Sequence, residues 1–406
     1  MNYNEFSNGT KIIDSKNSID ELSTILVGLN ASRILLIGNT RLNDLGYIDK
    51  IRKSIEKQNR LQVGAVYLGN DLTDGEDILK DLYFVYMSNN CDCITVCGSG
   101  KLIDYAKALK LMIAAQIKDI KKFFSSAMTA REIIYTPFVA IPCEFGSGSE
   151  TNSTAVIFDK EKSVSRNVAD GLLSPDYCLV DGDLIFDMDE KRRAYGVLEI
   201  FARAVDGLTV TDAMNAPTDA FSKRYGDYIE LHTSAICEGF CQVALTGLKS
   251  RAADMLENPT VEKVQKMEIK SAYLSKGTDS SGLGLIQCLA QAIADVKKIE
   301  YHTALPKSIK TVFKYNADAC KATYARCLLF FAGWQVYSEC DTEQRHKSFV
   351  NTATEFIDAL EEKYFVEDKF ELTDEDKQAV INAMAYNVNV LNNPRKFNAA
   401  VLKTLL

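Results

Sequence analysis

Residues 93–107 read CITVCGSGKLIDYAK. The apolar run Ile94–Cys97 predicts a strand, and Leu102–Met112 has helical spacing. Between them lie Gly98, Ser99 and Gly100. A strand followed by small residues and a helix start brings backbone N–H groups together. The helix dipole favours an anion there, and glycine lets it approach closely. The stretch therefore predicts a nucleotide-phosphate site. It is not a Walker A loop: Thr95 stands where the first glycine would be, and Leu102 follows Lys101 in place of Ser or Thr.

Working outward, strand-like and helix-like segments alternate through the first part of the chain. Arg33–Gly38, Gln62–Leu68, Cys93–Cys97 and Phe138–Ile141 predict strands. Asp49–Lys57 and Gly75–Asn89 predict helices between them. Val156–Asp159 and Cys178–Asp181 read as strands around a hairpin or crossover. Such alternation gives a parallel α/β layer with ligands at the carboxyl ends of the strands. From about Asp187 the periodicity is almost only helical: 187–212, 218–248, 260–275, 283–297, 306–315, 317–338, 347–363, 373–386 and 395–404. The expected architecture is an α/β nucleotide-binding domain over 1–183 and an all-α domain over 184–406.

The 406 residues, 47% hydrophobic and 25% charged, suit a globular protein with a large core. A net charge of −8 argues against a general nucleic-acid binder. Eleven cysteines, mostly within apolar runs, read as reduced, buried thiols. The N-terminus lacks a signal core, and no apolar run approaches the ~18 residues of a membrane span. A cytoplasmic protein with no membrane partner is expected. His232 and His346 read as structural, and the stripe Leu283, Leu285, Ile286, Leu289 and Ile293 as helix core. No nucleophile elbow, zinc-finger spacing or HExxH occurs.

Gly98–Lys107 resembles the GGGSxxDxAK motif of the iron-containing alcohol dehydrogenases. Ala140–Asp159 (AIPCEFGSGSETNSTAVIFD) and Leu172–Asp181 (LLSPDYCLVD) resemble two further segments of that family, in the same order. Tyr315-Asn316 resembles its Tyr-Asn helix end. The resemblance covers most of the chain and implies the fold shared with glycerol dehydrogenase and dehydroquinate synthase. It implies that Gly98, Ser99 and Gly100 cradle a dinucleotide pyrophosphate, with Lys101 adding a cation and Asp104 matching the motif. Cys143, Glu144, Ser147 and Ser149 fall at positions near the nicotinamide, and Arg166 lies close to that of a cofactor-contacting lysine. Many members carry an Asp after the first strand to accept from the ribose hydroxyls. Here Asn39 is neutral and Arg41 can pair with a phosphate, which favours NADP over NAD.

The resemblance also implies a divalent metal held by Asp, His, His and His. The matching positions carry Glu199, Arg203, Gln287 and Tyr301, with His302 next to Tyr301 and Gln291 at a further histidine position. Arginine offers no lone pair at any working pH, so no catalytic metal is expected. Glu199 and Arg203 share one helical face with the acid first. Arg203 can supply the missing positive charge, to polarise a carbonyl or bind a substrate carboxylate or phosphate. Tyr301 or His302 can supply a proton.

The expected function is a metal-independent NAD(P)-dependent oxidoreductase acting on an aldehyde, ketone or alcohol in the inter-domain cleft, as a homo-oligomer taken as a dimer. Its partner is a small-molecule substrate. Two alternatives stand beside it: a non-catalytic subunit that retains the nucleotide fold and partners another biosynthetic enzyme, and a dehydroquinate synthase-like lyase or cyclase.

Overall fold

The computed structural model describes residues 9–69, 75–124, 134–210, 234–279 and 281–406. His232 and part of the expected 218–248 helix lie outside them. By its contacts the chain divides into an α/β unit, Asn8–Met188 with Thr260–Ala272, and a helical unit, Asp189–Pro259 with Tyr273–Leu406.

The α/β unit is built on β1 (Lys11–Asp14), β2 (Arg33–Asn39), β3 (Gln62–Gly69), β4 (Cys93–Gly98), β5 (Phe138–Pro142), β6 (Thr154–Asp159), β7 (Val164–Ala169) and β8 (Tyr177–Val180). Six strands form one parallel sheet in the order β1-β8-β5-β4-β2-β3. Every residue of β4 and β5 is buried, as expected of central strands covered on both faces. Side-chain alternation divides them between two cores. Leu35, Ile37, Ile94 and Val96 pack with the helix Gly100–Ala114, while Ile34, Leu36, Cys93 and Cys97 pack with Leu22, Leu26, Ile48 and Ile51. The chain leaves β2 for β3 on one side and returns to β4 on the other. The carboxyl ends of β2 and β4 are therefore the switch point of the sheet.

β6 and β7 form a separate antiparallel hairpin, whereas β8 joins the main sheet, which resolves the hairpin-or-crossover alternative. Two strands were not expected. β1 (KIID) has only four residues and no buried side chain, and β7 (VSRNVA) interleaves Ser, Arg and Asn with its two valines.

The described part of the helical unit contains no strand. Its helices depart from the expected spans at three places. A separate helix, Leu248–Glu257, starts after Gly247, whose φ of 64° breaks the run. Gly333, at φ 89°, likewise divides the expected 317–338 helix into Lys321–Ala332 and Trp334–Glu339. The expected 306–315 helix begins earlier, at Tyr301, and runs through Pro306. Pro306 is its sixth residue, so the helix lacks the N–H that would bond to the His302 carbonyl. Glu190–Thr209 is capped by the Asp189 side chain, which accepts from Arg192 N at 2.7 Å, and is buried from Ala194 to its end. Phe201 on this helix packs with Phe313, Phe331, Phe349 and Phe356. All eleven cysteines are free thiols, ten of them buried. Among the described residues no helix is long and apolar enough to cross a membrane.

Candidate active site

In the α/β unit, β4 ends at Gly98 and a fifteen-residue helix starts at Gly100. Ser99 occupies the N-cap with extended backbone, and its side chain makes no capping hydrogen bond. The N-cap side chain therefore does not compete for the first N–H groups of the helix, the end that favours an anion. The Gly146–Ser149 loop closes on this turn. A Cβ at Gly100 would lie 2.3 Å from Ser147 Oγ and 2.5 Å from Ser147 Cβ, and Cys143 N donates to the Gly98 carbonyl at 3.1 Å. Lys101 is exposed at the helix start. A Gly100→Val substitution is therefore expected to push Ser147 away and weaken dinucleotide binding by roughly tenfold or more, with little change in fold. Titration with NADH and NADPH monitored by nicotinamide fluorescence checks this; unchanged affinity for both would remove the turn from the binding site.

Asp104 and Lys107 act inside the protein. Lys107 is fully buried; its Nζ donates to Asn152 Oδ1 at 2.6 Å and the Thr154 carbonyl at 2.8 Å, and lies 3.6 Å from Asp104. Asp104 accepts from Val156 N at 2.9 Å. Burial pushes its carboxyl up, against the pull of Lys107 and of hydrogen bonds from Val156 and Ser149. The two residues bolt the glycine-turn helix to β6 and the loop before it.

Five other residues expected at the cofactor are placed as follows. Cys143 is buried and Glu144 half-buried on the loop after β5. Asn39 is buried, and its side chain caps the short helix Thr40–Asp44 by accepting from Leu42 N at 2.8 Å. Arg41 donates to the Asp187 carbonyl at 3.1 Å. Arg166, on β7, donates to the Phe124 carbonyl at 2.9 Å and lies over the Phe124 ring.

In the helical unit, Glu199, Arg203, Gln287, Tyr301 and His302 come together from three helices, Glu190–Thr209, Leu285–Lys297 and Tyr301–Asn316. Glu199 is 4% exposed and Arg203 7%. His302 Nε2 lies 2.9 Å from Glu199 Oε2, and Arg203 Nη2 lies 3.7 Å from Glu199 Oε1. Burial pushes the Glu199 carboxyl up, but His302 and then Arg203 outweigh it and hold the group below its usual range. The Tyr301 hydroxyl donates to Gln287 Oε1, and burial raises that phenol well above its ordinary value. The His302 ring stacks on Tyr195, 5.4 Å between centroids. His346, by contrast, sits in the first turn of the helix Arg345–Tyr364, outside this group.

Sequence reading missed Asp206, one turn beyond Arg203. Its carboxylate accepts from Ile286 N at 3.2 Å and Gln287 N at 3.1 Å, capping the helix that carries Gln287. Gly284 leaves room for it: a Cβ there would meet Asp206 Oδ1 at 2.8 Å. Burial pushes the Asp206 carboxyl up to about 7, against these N–H donors and Arg203. The signal available in the sequence was its place three residues after Arg203 on the same helical face.

A family model described as iron-containing alcohol dehydrogenase matches residues 9–182. The NAD-dependent methanol dehydrogenase of Bacillus methanolicus is 23% identical over 313 residues, 76% of this chain and 75% of that one. Over its first 182 residues the chain is thus similar to the iron-containing alcohol dehydrogenases. The 1-propanol dehydrogenase of Salmonella typhimurium is 23% identical, over 66% of this chain and 68% of its own length. The solved alcohol dehydrogenase from Oenococcus oeni shares the fold at a TM-score of 0.84 and 16% identity, covering 99% of each chain.

Proposed function

We propose that the protein is an NAD(P)-dependent oxidoreductase that interconverts an alcohol and its aldehyde or ketone without a catalytic divalent metal. The observation that carries the proposal is the buried Arg203 guanidinium beside Glu199, at a position where the family resemblance implies a metal ligand.

The donor set does not fit a divalent ion. Zinc and iron(II) take imidazole, thiolate or carboxylate ligands. The four positions here carry one carboxylate, one guanidinium, one amide and one phenol. Both Glu199 oxygens already face His302 and Arg203. Among the described residues no group of three or more His, Cys, Asp or Glu side chains could hold a metal ion. No step is therefore assigned to one.

The glycine turn does fit a dinucleotide. Gly98, Ser99 and Gly100 would hold its pyrophosphate at the uncapped helix start, with Lys101 beside them. When bound, a nicotinamide dinucleotide supplies or accepts the hydride. The methanol dehydrogenase relative is named NAD-dependent, which supports NAD; Arg41 makes NADP the comparison to measure. Arg203 places fixed positive charge where the substrate oxygen becomes negative, and needs no reorganisation to do so. Glu199 orients His302, and the pair holds the proton that the substrate hydroxyl gives up or regains.

Purified protein should bind NADH and oxidise it with simple aldehydes or ketones at a rate unaffected by a chelator. Zinc or iron at one equivalent per chain, with activity lost on chelation, would overturn the metal-free assignment.

A further inference from the structure

The polar group around Arg203 has more donors than acceptors. A guanidinium carries five N–H donors. Arg203 Nη2 faces Glu199 Oε1 at a long 3.7 Å, while His302 takes the other Glu199 oxygen at 2.9 Å. Arg203 Nε is buried without a hydrogen-bond partner. Asp206, the next carboxylate along the helix, accepts from the N–H groups of Ile286 and Gln287. Gln287 repeats the pattern. Its amide oxygen accepts the Tyr301 hydroxyl, and its Nε2 is buried with no partner.

Two side chains at successive metal-ligand positions of the family thus each leave a buried donor unmet. Each such group keeps its desolvation cost in the unliganded protein. A hydrophobic or cationic ligand would leave that cost in place. A ligand rich in acceptor oxygens and carrying negative charge removes it, and the planar Nε–Nη edge of arginine matches the two oxygens of a carboxylate. Glu199 does not oppose such a ligand strongly, because its charge is already met from two sides. A position that holds a cation in the family has become one that calls for an anion.

We infer that the substrate is a short carbonyl compound bearing a carboxylate, held by the Arg203 guanidinium with Gln287 Nε2 donating to the same molecule. The inference rests on the oxidoreductase reading. In the reductive direction the carbonyl carbon gains a hydride from the reduced nicotinamide dinucleotide. The carbonyl oxygen takes a proton from the Glu199–His302 pair. The products are the hydroxy acid and the oxidised dinucleotide.

The test pairs carbonyl compounds of like size, glyoxylate against glycolaldehyde and pyruvate against acetone, as oxidants of NADH. Binding of oxamate, which cannot be reduced, is measured by calorimetry in parallel. Wild-type protein should prefer the anionic member of each pair by roughly tenfold or more in kcat/KM. Arg203→Lys, which keeps the charge but loses the planar fork, should cut that ratio and weaken oxamate binding. Gln287→Leu, which removes a donor without disturbing the Glu199 pair, gives a second reading should the arginine variant fail to fold. Equal or faster NADH oxidation with the neutral compounds would overturn the inference and leave the oxidoreductase reading standing. Oxamate binding that Gln287→Leu weakens, with no NADH oxidation by any compound, would support the anion site and overturn the oxidoreductase reading. Neither binding nor turnover with the carboxylates would overturn the inference.

Discussion

Replacing Glu199 with alanine is expected to destabilise the protein by about 3 kcal/mol, because removing one partner of a buried ion pair strands the other charge. Glu199 is 4% exposed and meets two cationic or proton-bearing side chains at once, His302 and Arg203. Without it the Arg203 guanidinium loses its ion-pair partner, and it cannot shed its charge as a lysine would. Glu199→Gln should cost less, since the amide oxygen can still accept from one neighbour while the charge is lost. Urea unfolding of the two variants beside wild type gives the comparison. A loss below about 1 kcal/mol for Glu199→Ala would place the pair among solvent-screened contacts and deprive Arg203 of its fixed position. The stabilisation should also depend on pH. A carboxyl held below its usual range contributes fully above its unfolded pKa, and that contribution fades as pH falls through the folded value.

The second large effect concerns Lys107. Lys107→Met keeps most of the buried volume but removes the donors to Asn152, Thr154 and Asp104. A loss of about 3 kcal/mol is expected, chiefly because the buried Asp104 carboxyl loses its opposing charge. Asp104 already has its carboxyl raised by burial, and Lys107 is its nearest opposing charge. In the variant that carboxyl rises further, so the deficit should shrink toward acidic pH, where Asp104 is protonated, and grow as pH rises through the folded value. Dinucleotide affinity should fall with stability, because the same contacts hold the glycine-turn helix. A deficit that did not change with pH would show that Asp104 is not the group Lys107 neutralises.

The sequence made some of this legible and hid the rest for physical reasons. β4 and its glycine turn were readable because a β-branched run, two glycines and a helical pattern follow one another within fifteen residues. The Glu199–Arg203 pair was readable because four-residue spacing puts both on one face. β1 and β7 were not, since neither carries an apolar run and each is defined by what it pairs with. Lys107 matched a motif position, but its burial depends on Asn152 and Thr154, forty-five and forty-seven residues away. Asp206 was hidden for the same reason: its partners are backbone N–H groups eighty and eighty-one residues later.

The sheet order has a consequence for synthesis of the chain. β2, β3 and β4 are neighbours both in sequence and in space and can pair as soon as they leave the ribosome. β1 is made first, yet its only strand partner is β8, with Lys11 opposite Tyr177. The exposed flank of β8 and the waiting β1 must therefore stay apart from other chains until translation has passed Val180. The loop after β5 waits longer still, since Gly146 N donates to Ser271 Oγ and Thr151 Oγ1 to the Ala272 carbonyl. The α/β unit, though encoded first, becomes complete only when two thirds of the polypeptide exists.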